Sequence, residues 1–302
     1  QVGRLRAGPR GLGDVGEVEV TLADLIDTGP SPRGSHRLSE VIACPQRFAW
    51  TYGDESAPRA AEAPPSQAAL RGSILHVGFA HMYLRLRVMQ RGLSDTAVAA
   101  IPAPHAAMEV YGATHGADAA LLALCRATLN AYAARWDTDC AAWHILEVEH
   151  LLEMMVASKH RYTARVDLIV EEQATGLIRF VDHKTTSHWR RGDSSKYVLN
   201  MQMLGLQHLG AAHYGAKFGG VLINSIGVSA AGGEPPHLHR FTPDPAPAML
   251  ARFPDIVCDA EDRIAALYAS ARSVDAWPRA AGDPCVGPYG RCRFFERCQF
   301  GD

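Results

Sequence analysis

The stretch Ile178-Arg179-Phe180-Val181-Asp182-His183-Lys184-Thr185-Thr186 sets an acid and an ammonium two positions apart inside an apolar run. If the stretch is a strand, Asp182 and Lys184 share one face, separated by roughly 7 Å. Burying either charge is costly without a partner. Asp167, in Arg165-Val166-Asp167-Leu168-Ile169-Val170, is a second acid among apolar neighbours, and a hairpin returning through Gly176 would bring it close to Asp182. Two carboxylates so placed repel unless a cation lies between them. Hard oxygen donors favour Mg2+ or Mn2+ over zinc. Such an ion polarises a phosphate oxygen and acidifies a bound water. Lys184 would then orient or deprotonate that water, or stabilise charge on a phosphate. The competing reading of the same residues is a buried Asp182–Lys184 salt bridge with Asp167 at the surface.

A second chemical pattern closes the chain. Cys285, Cys292 and Cys298 fall within fourteen residues of a tail containing Gly287, Pro288 and Gly290. Three thiols so spaced form a metal-ligand set lacking one member. Cys44, in Ala43-Cys44-Pro45-Gln46-Arg47-Phe48, is the candidate fourth. Four thiolates suit Zn2+ or an iron–sulfur cluster, and four unrelated free thiols are the plain alternative. Cys125, Cys140 and Cys258 read as ordinary buried cysteines. Seven cysteines in a chain that begins without a signal-peptide pattern argue against a disulfide framework.

The elements that must carry these residues follow from composition and periodicity. The chain has 302 residues, 47% of them hydrophobic and 21% charged, with a net charge of −2, which fits an α/β globular fold and excludes a strongly basic nucleic-acid coat. Basic residues cluster locally at Arg4/Arg6/Arg10, Arg190/Arg191 and Arg291/Arg293/Arg297. No apolar run is long enough to span a membrane, so a cytoplasmic location is expected. Residues 1–35, rich in Gly, Pro and Arg, read as a poorly ordered arm with one β-like stretch at Val15–Leu22. Residues 36–302 read as a single domain.

Within that domain a helix is expected from Leu38 to about Tyr52, capped by Ser39. Two or three helices follow over 69–142, burying Tyr83, Leu84, Leu86, Val88, Leu121, Leu122 and Leu129. Strands are expected at His144–Met155, Arg161–Glu171 and Leu177–Lys184, then a helix over 197–214, a strand at Gly219–Val228 and a helix over 246–271. Helix, three strands, helix, strand and helix describe a mixed sheet flanked by helices.

Asp167, fourteen intervening residues, and Asp182-His183-Lys184 resemble the signature of the PD-(D/E)XK nuclease superfamily. The wording Val181-Asp182-His183-Lys184-Thr185-Thr186-Ser187 is similar to the RecB-like and phage-type exonuclease branch. Arg71-Gly72-Ser73-Ile74-Leu75-His76 resembles that branch's helical G-x-x-x-H motif, which implies His76 as a metal ligand beside Asp167 and Asp182. The resemblance also implies Glu149 as the acid of the first core strand, with Glu147 and Glu153 as rivals, and Gln202 on the helix after the active-site lysine. His183 would lend the metal only its backbone carbonyl. The family's Q-x-x-x-Y helix departs here at Leu206. The fold implied is a restriction-endonuclease-like core (143–230) with a helical insertion (69–142) and a C-terminal cysteine segment (284–300).

One cysteine far upstream and three near the C-terminus look like the [4Fe–4S] clasp of AddB-type exonucleases, although this chain reads C-x6-C-x5-C where many relatives have C-x2-C-x5-C. Arg291, Arg293 and Arg297 would contact DNA phosphates beside it. The function implied is a Mg2+- or Mn2+-dependent DNA exonuclease of recombination, DNA-end processing or phage replication. Its substrate would be DNA that is single-stranded or has a free end. No G-x-x-x-x-G-K-[ST] motif occurs, so a helicase or single-strand annealing partner would be a separate chain. Two other readings stand beside it: a catalytically silent DNA-end-binding subunit on the same fold, and a sequence- or structure-specific endonuclease.

Overall fold

A computed structural model describes residues 21–52, 66–186, 194–228, 235–270, 273–282, 284–287 and 290–300. The β-like stretch before Thr21, the basic residues at 4, 6, 10, 190 and 191, and His188 lie outside the described residues. After a 3-10 turn at Leu22–Asp24, helices α1 (Ser35–Ala43) and α2 (Pro45–Tyr52) lead into α3 (Gln67–Gln90). Then come α4 (Asp95–Ala99), α5 (Pro104–Thr114), α6 (Ala119–Arg135) and the short α7 (Asp139–Ala142). Strands β1 (Trp143–Val156), β2 (His160–Glu172) and β3 (Ile178–Thr186) run consecutively. Helices α8 (Ser195–Val198) and α9 (Met201–Tyr214) cross to β4 (Phe218–Gly227), followed by β5 (His237–Phe241) and α10 (Pro247–Ala269). The tail holds a two-stranded ribbon, β6 (Val286–Gly287) and β7 (Gly290–Arg291), and α11 (Phe295–Phe300).

The first helix departs from expectation. It starts at Ser35 with Gly34, not Ser39, at its N-cap, and it breaks at Cys44. Pro45 causes the break: a proline disfavours helical backbone in the residue before it, and Cys44 is extended at φ −160 and ψ 107. Pro45 then serves as the first residue of α2, where its missing N–H costs nothing. The turn leaves the Cys44 sulfur accepting hydrogen bonds from the backbone N–H of Arg47 and of Ala280, each at 3.5 Å.

The sheet has order β1-β2-β3-β4-β5. Only β3 and β4 are parallel, and the α8–α9 crossover makes that pairing possible. Both faces are covered, so the strands read as nearly continuous apolar runs. On one face α3, α5 and α6 bury Ile74, Phe79, Tyr83, Met108 and Leu129 against Leu168, Val170, Val181 and Ile226. On the other, α1, α2, α9 and α10 bury Leu38, Phe48, Leu206 and Val257 against Tyr162, Phe180 and Ile223. Strand β5 was missed by the sequence reading, because His237-Leu238-His239-Arg240-Phe241 lacks an apolar run. Cys140 is exposed and Cys258 half-buried, whereas Cys125 is buried as expected. Among the described residues no helix is long and apolar enough to cross a membrane.

The long β1–β2 hairpin changes faces midway. Val148 and Leu168 pack toward α3, yet Leu152, Val166, Ala164 and Tyr162 pack toward α9 and α10. The exchange falls at Glu149, whose φ of 48 is left-handed backbone in a non-glycine residue. Such a conformation costs about 1–3 kcal/mol and needs surrounding structure to impose it. Arg165 supplies part of that restraint, donating to the Glu149 carbonyl (3.2 Å), the Gly29 carbonyl (2.9 Å) and the Asp27 carboxylate (2.5 Å). Residues 27–33, expected to belong to a loose arm, are therefore tied along β2, with Arg33 N–H also donating to Thr163 Oγ1.

Packing against the distal hairpin is tight enough to override helix propensity. Gly205 lies within α9, where alanine would normally stabilise by about 1 kcal/mol. A Cβ there would stand 2.0 Å from the Tyr162 hydroxyl and 2.6 Å from its ring. Tyr162 is fully buried and packed edge-on against Phe253, so it has no free path of retreat. Gly205→Ala is expected to lose about 1–3 kcal/mol, read as a lower midpoint in thermal or urea denaturation. A midpoint raised by the substitution would mean that the contact is loose.

Candidate metal centre and active site

The site forms where β2 parts from β3. Their pairing ends at Leu168↔Val181, one step short of Asp167 and Asp182. A sheet amide left without a ladder partner needs another acceptor, and the Asp167 carboxylate provides it, accepting from His183 N–H at 2.7 Å. On the other side of β2, the register Val148↔Leu168 and His150↔Val166 puts Glu149 directly across from Asp167. Three acids thus line up on three neighbouring strands.

Helix α3 brings the imidazole. Ser66 caps it, its hydroxyl accepting from Ala69 N–H at 3.2 Å. Gly72 lets the helix approach the end of β3, since a Cβ there would be 2.9 Å from Thr185 Oγ1. One turn on, His76 Nδ1 lies 3.6 Å from Asp167 Oδ2. His76, Glu149 and Asp167 each offer a ligand atom, and these atoms all lie within 4.8 Å of one another. The rival acids are engaged elsewhere, Glu147 with Arg87 at 2.6 Å and Glu153 with Arg161.

Beside this group Asp182, Lys184 and Gln202 close a triangle. Lys184 Nζ donates to Asp182 Oδ1 and to Gln202 Oε1, and Gln202 Nε2 donates to Asp182 Oδ1, each at 2.9 Å. Asn200 caps α9, its side chain accepting from Gln202 N–H, which holds Gln202 in the first turn. Leu206, one turn further, is buried in the core. The Asp182–Lys184 salt bridge of the competing reading does form, at 2.7 Å to Oδ2, but Asp167 is not at the surface: its side chain is only 11% exposed.

The electrostatics are those of acids short of positive charge. Burial, then the negative charge of Asp167, pushes the Glu149 carboxyl up to about 10, against the pull of Arg165. Burial also raises Asp182, opposed by Lys184 and reinforced by Asp167. Asp182 Oδ2 is buried and has the Lys184 ammonium, 2.7 Å away, as its partner. Crowded carboxyls with one ammonium among them fit a bound cation, which would hold the acids ionised. His183 turns its ring away from the acids, stacking on Phe79 at 4.7 Å and Tyr83 at 5.8 Å, and burial pushes its imidazole down to about 3. Behind it lies a buried set: Tyr83, expected on its helix's buried face, with Tyr132, Asp139, Asn224 and Arg240, which the sequence reading missed. The recurrence of aromatic rings at i+3 and i+7 from His76 (Phe79 and Tyr83) was a usable signal for its near half.

At the other end of the molecule Cys44, Cys285, Cys292 and Cys298 line one cavity of about 150 Å³, walled by Trp50, Phe294 and Phe295. None of the four is in a disulfide. Burial and the neighbouring thiols raise the Cys285 thiol. The tail arginines stand around this cavity rather than in a free patch. Arg297 lies over Trp50 at 4.7 Å and pairs with Asp275, Arg291 pairs with Glu296, and Arg293 donates to Thr51.

No curated protein matches the chain. A family model does, across residues 35–299, which takes in α1, the acid-lined end of the sheet and the cysteine tail. The mixed five-stranded sheet between two helical layers is the restriction-endonuclease-like arrangement expected of that match. On a match over nearly its whole length, the chain belongs to the PD-(D/E)XK nuclease superfamily.

Proposed function

We propose that the protein is a divalent-metal-dependent deoxyribonuclease, acting as an exonuclease on DNA that is single-stranded or has a free end. The observation that carries the reading is the convergence of His76, Glu149 and Asp167 beside the Asp182–Lys184–Gln202 triangle. A donor set of carboxylates with one imidazole suits Mn2+ or Mg2+. His76, Glu149 and Asp167 would hold the ion, with Asp182 beside them offering a further carboxylate oxygen. When bound, the ion supplies Lewis-acid polarisation of the scissile phosphate and a more acidic water. Lys184 brings a positive charge already fixed by Asp182 and Gln202, so it needs no reorganisation to orient a water or to stabilise charge on the phosphate. Gln202 keeps the ammonium in place and can share a proton donor with a phosphate oxygen.

The exonuclease preference rests on the order G-x-x-x-H, Asp167, Asp182-His183-Lys184 and Gln202, which is similar to the RecB-like branch. The same likeness suggests roles in recombination, DNA-end processing or phage replication. The four-cysteine cavity supports a [4Fe–4S] cluster over Zn2+. The four thiols face one space of about 150 Å³, which a multi-iron cluster would occupy. Aromatic walls would also keep solvent from such a cluster. Arg291, Arg293 and Arg297 would then meet the backbone of DNA passing this corner.

The test is cleavage of end-labelled single- and double-stranded DNA by anaerobically purified protein, with Mn2+ or Mg2+ and with chelator. Metal-dependent release of short products from an end supports the reading. An internal cutting ladder would replace exonuclease by endonuclease. Folded, metal-loaded protein that binds DNA ends and cuts nothing would turn it into an end-binding subunit.

A further inference from the structure

The buried set behind His183 connects α3, which carries His76, with β3, which carries Asp182 and whose His183 N–H holds Asp167. Sheet register places His183, Asn224 and Arg240 side by side on β3, β4 and β5. Asn224 Nδ2 lies 3.2 Å from His183 Nδ1 and donates to the Tyr132 hydroxyl at 2.7 Å. Arg240 donates from Nε to Asn224 Oδ1, and from its two terminal nitrogens to Asp139 at 2.7 and 2.6 Å. Asp139 in turn accepts from the Tyr83 hydroxyl at 2.9 Å, and Tyr83 lies two turns along α3 from His76. The guanidinium is held between Trp136 at 3.8 Å and Trp143 at 4.4 Å.

Stability alone is a poor account of such a network. Apolar side chains of similar volume often fill such a space as stably as a buried ion pair. Directional hydrogen bonds differ in that they fix one relative position of the groups they join. Here one end of the chain of bonds is the His183 ring, whose own backbone N–H holds Asp167. The other end is α3, which carries His76.

We propose that Asn224 and Arg240 are positioning residues for the metal centre, locking α3 to β3 through Asp139 and Tyr83 and so setting the gap between His76 and Asp167. The proposal rests on the metal-centre reading above but not on the nature of the DNA reaction. Asn224 and Arg240 act through His183 and Tyr83 rather than on a ligand directly, and such indirect coupling is worth about 0.5–2 kcal/mol, or roughly 2–30-fold in affinity.

The experiment measures Mn2+ affinity by isothermal titration calorimetry, with thermal midpoint and cleavage rate, for the wild type and three variants. Asn224→Leu removes the link to His183, and Tyr83→Phe removes the link to α3 while leaving Asp139 paired with Arg240. Val257→Ala, a core truncation in α10, is the control for stability alone. Expected are a Mn2+ Kd weakened roughly 2–30-fold in Asn224→Leu and a smaller weakening in Tyr83→Phe. Val257→Ala should lower the midpoint and leave Kd unchanged. Should Asn224→Leu not fold, Tyr83→Phe decides. Unchanged Kd in the network variants, or an equal shift in Val257→Ala, overturns the proposal. A wild type that binds Mn2+ but cuts no DNA would sink the nuclease reading alone, because the affinities still decide this one.

Discussion

Lys184→Met is expected to slow metal-dependent DNA cleavage by roughly 10²–10⁴-fold and to leave the fold and Mn2+ affinity close to wild type. Methionine keeps the length of the side chain, which is only 25% exposed, and removes the charge. Asp182 keeps the Gln202 bond to its Oδ1 at 2.9 Å, and a bound cation takes over the charge that Lys184 supplied to Oδ2. What is lost is a cation held at two points before substrate arrives, and preorganised charge accounts for a large share of transition-state stabilisation. Lys184→Arg should not restore the rate, because a planar fork cannot replace a compact ammonium between a carboxylate and an amide oxygen. Initial rates on end-labelled DNA and calorimetric Mn2+ titration together check the result. A rate within ten-fold of wild type would remove Lys184 from the chemistry.

Cys44→Ser is expected to abolish iron binding, with its visible absorption, and to lower the thermal midpoint by about 10 °C or more. The size follows from topology: a link from Cys44 to the tail closes a loop of about 240 residues. A cross-link over a loop that long is worth on the order of 5 kcal/mol in chain entropy. Cys298→Ser should behave alike, whereas Cys140→Ser, at an exposed cysteine away from the cavity, should change neither property. Metal analysis of the purified protein separates the outcomes. Zinc without colour would keep the clasp and change its metal, and wild-type behaviour of Cys44→Ser would leave the four thiols unrelated.

The sheet was readable from sequence because its information is local. β1, β2 and β3 each carry an apolar run bounded by turn residues, and the observed ends differ from expectation by only one or two positions. Asp182-x-Lys184 was legible for the same reason, as two charges in a run that had to be buried. Choosing Glu149 over Glu147 and Glu153 needed more, since all three acids share one strand parity. Only the face switch at the left-handed backbone of Glu149, imposed from outside by Arg165, separates them. Arg240 was invisible for a related reason. Its strand is short and polar at the sheet edge, and its partners come from positions 132, 139 and 224. The helix break at Cys44 was written in Pro45, though a periodic reading ran through it.

The docking of α1 and α2 beneath α10, with Cys44 at the break between them, carries a cost during synthesis. Leu38, Val41 and Phe48 are buried in the finished protein by strands and helices that follow them in the chain, α10 among them. About 250 residues separate Cys44 from Cys298, so at roughly 5–20 residues per second the nascent helices wait on the order of 10–50 s for their cover. Over that interval an apolar face is open to chaperones and to aggregation. Helices α1 and α2 are thus secured only well after they are made.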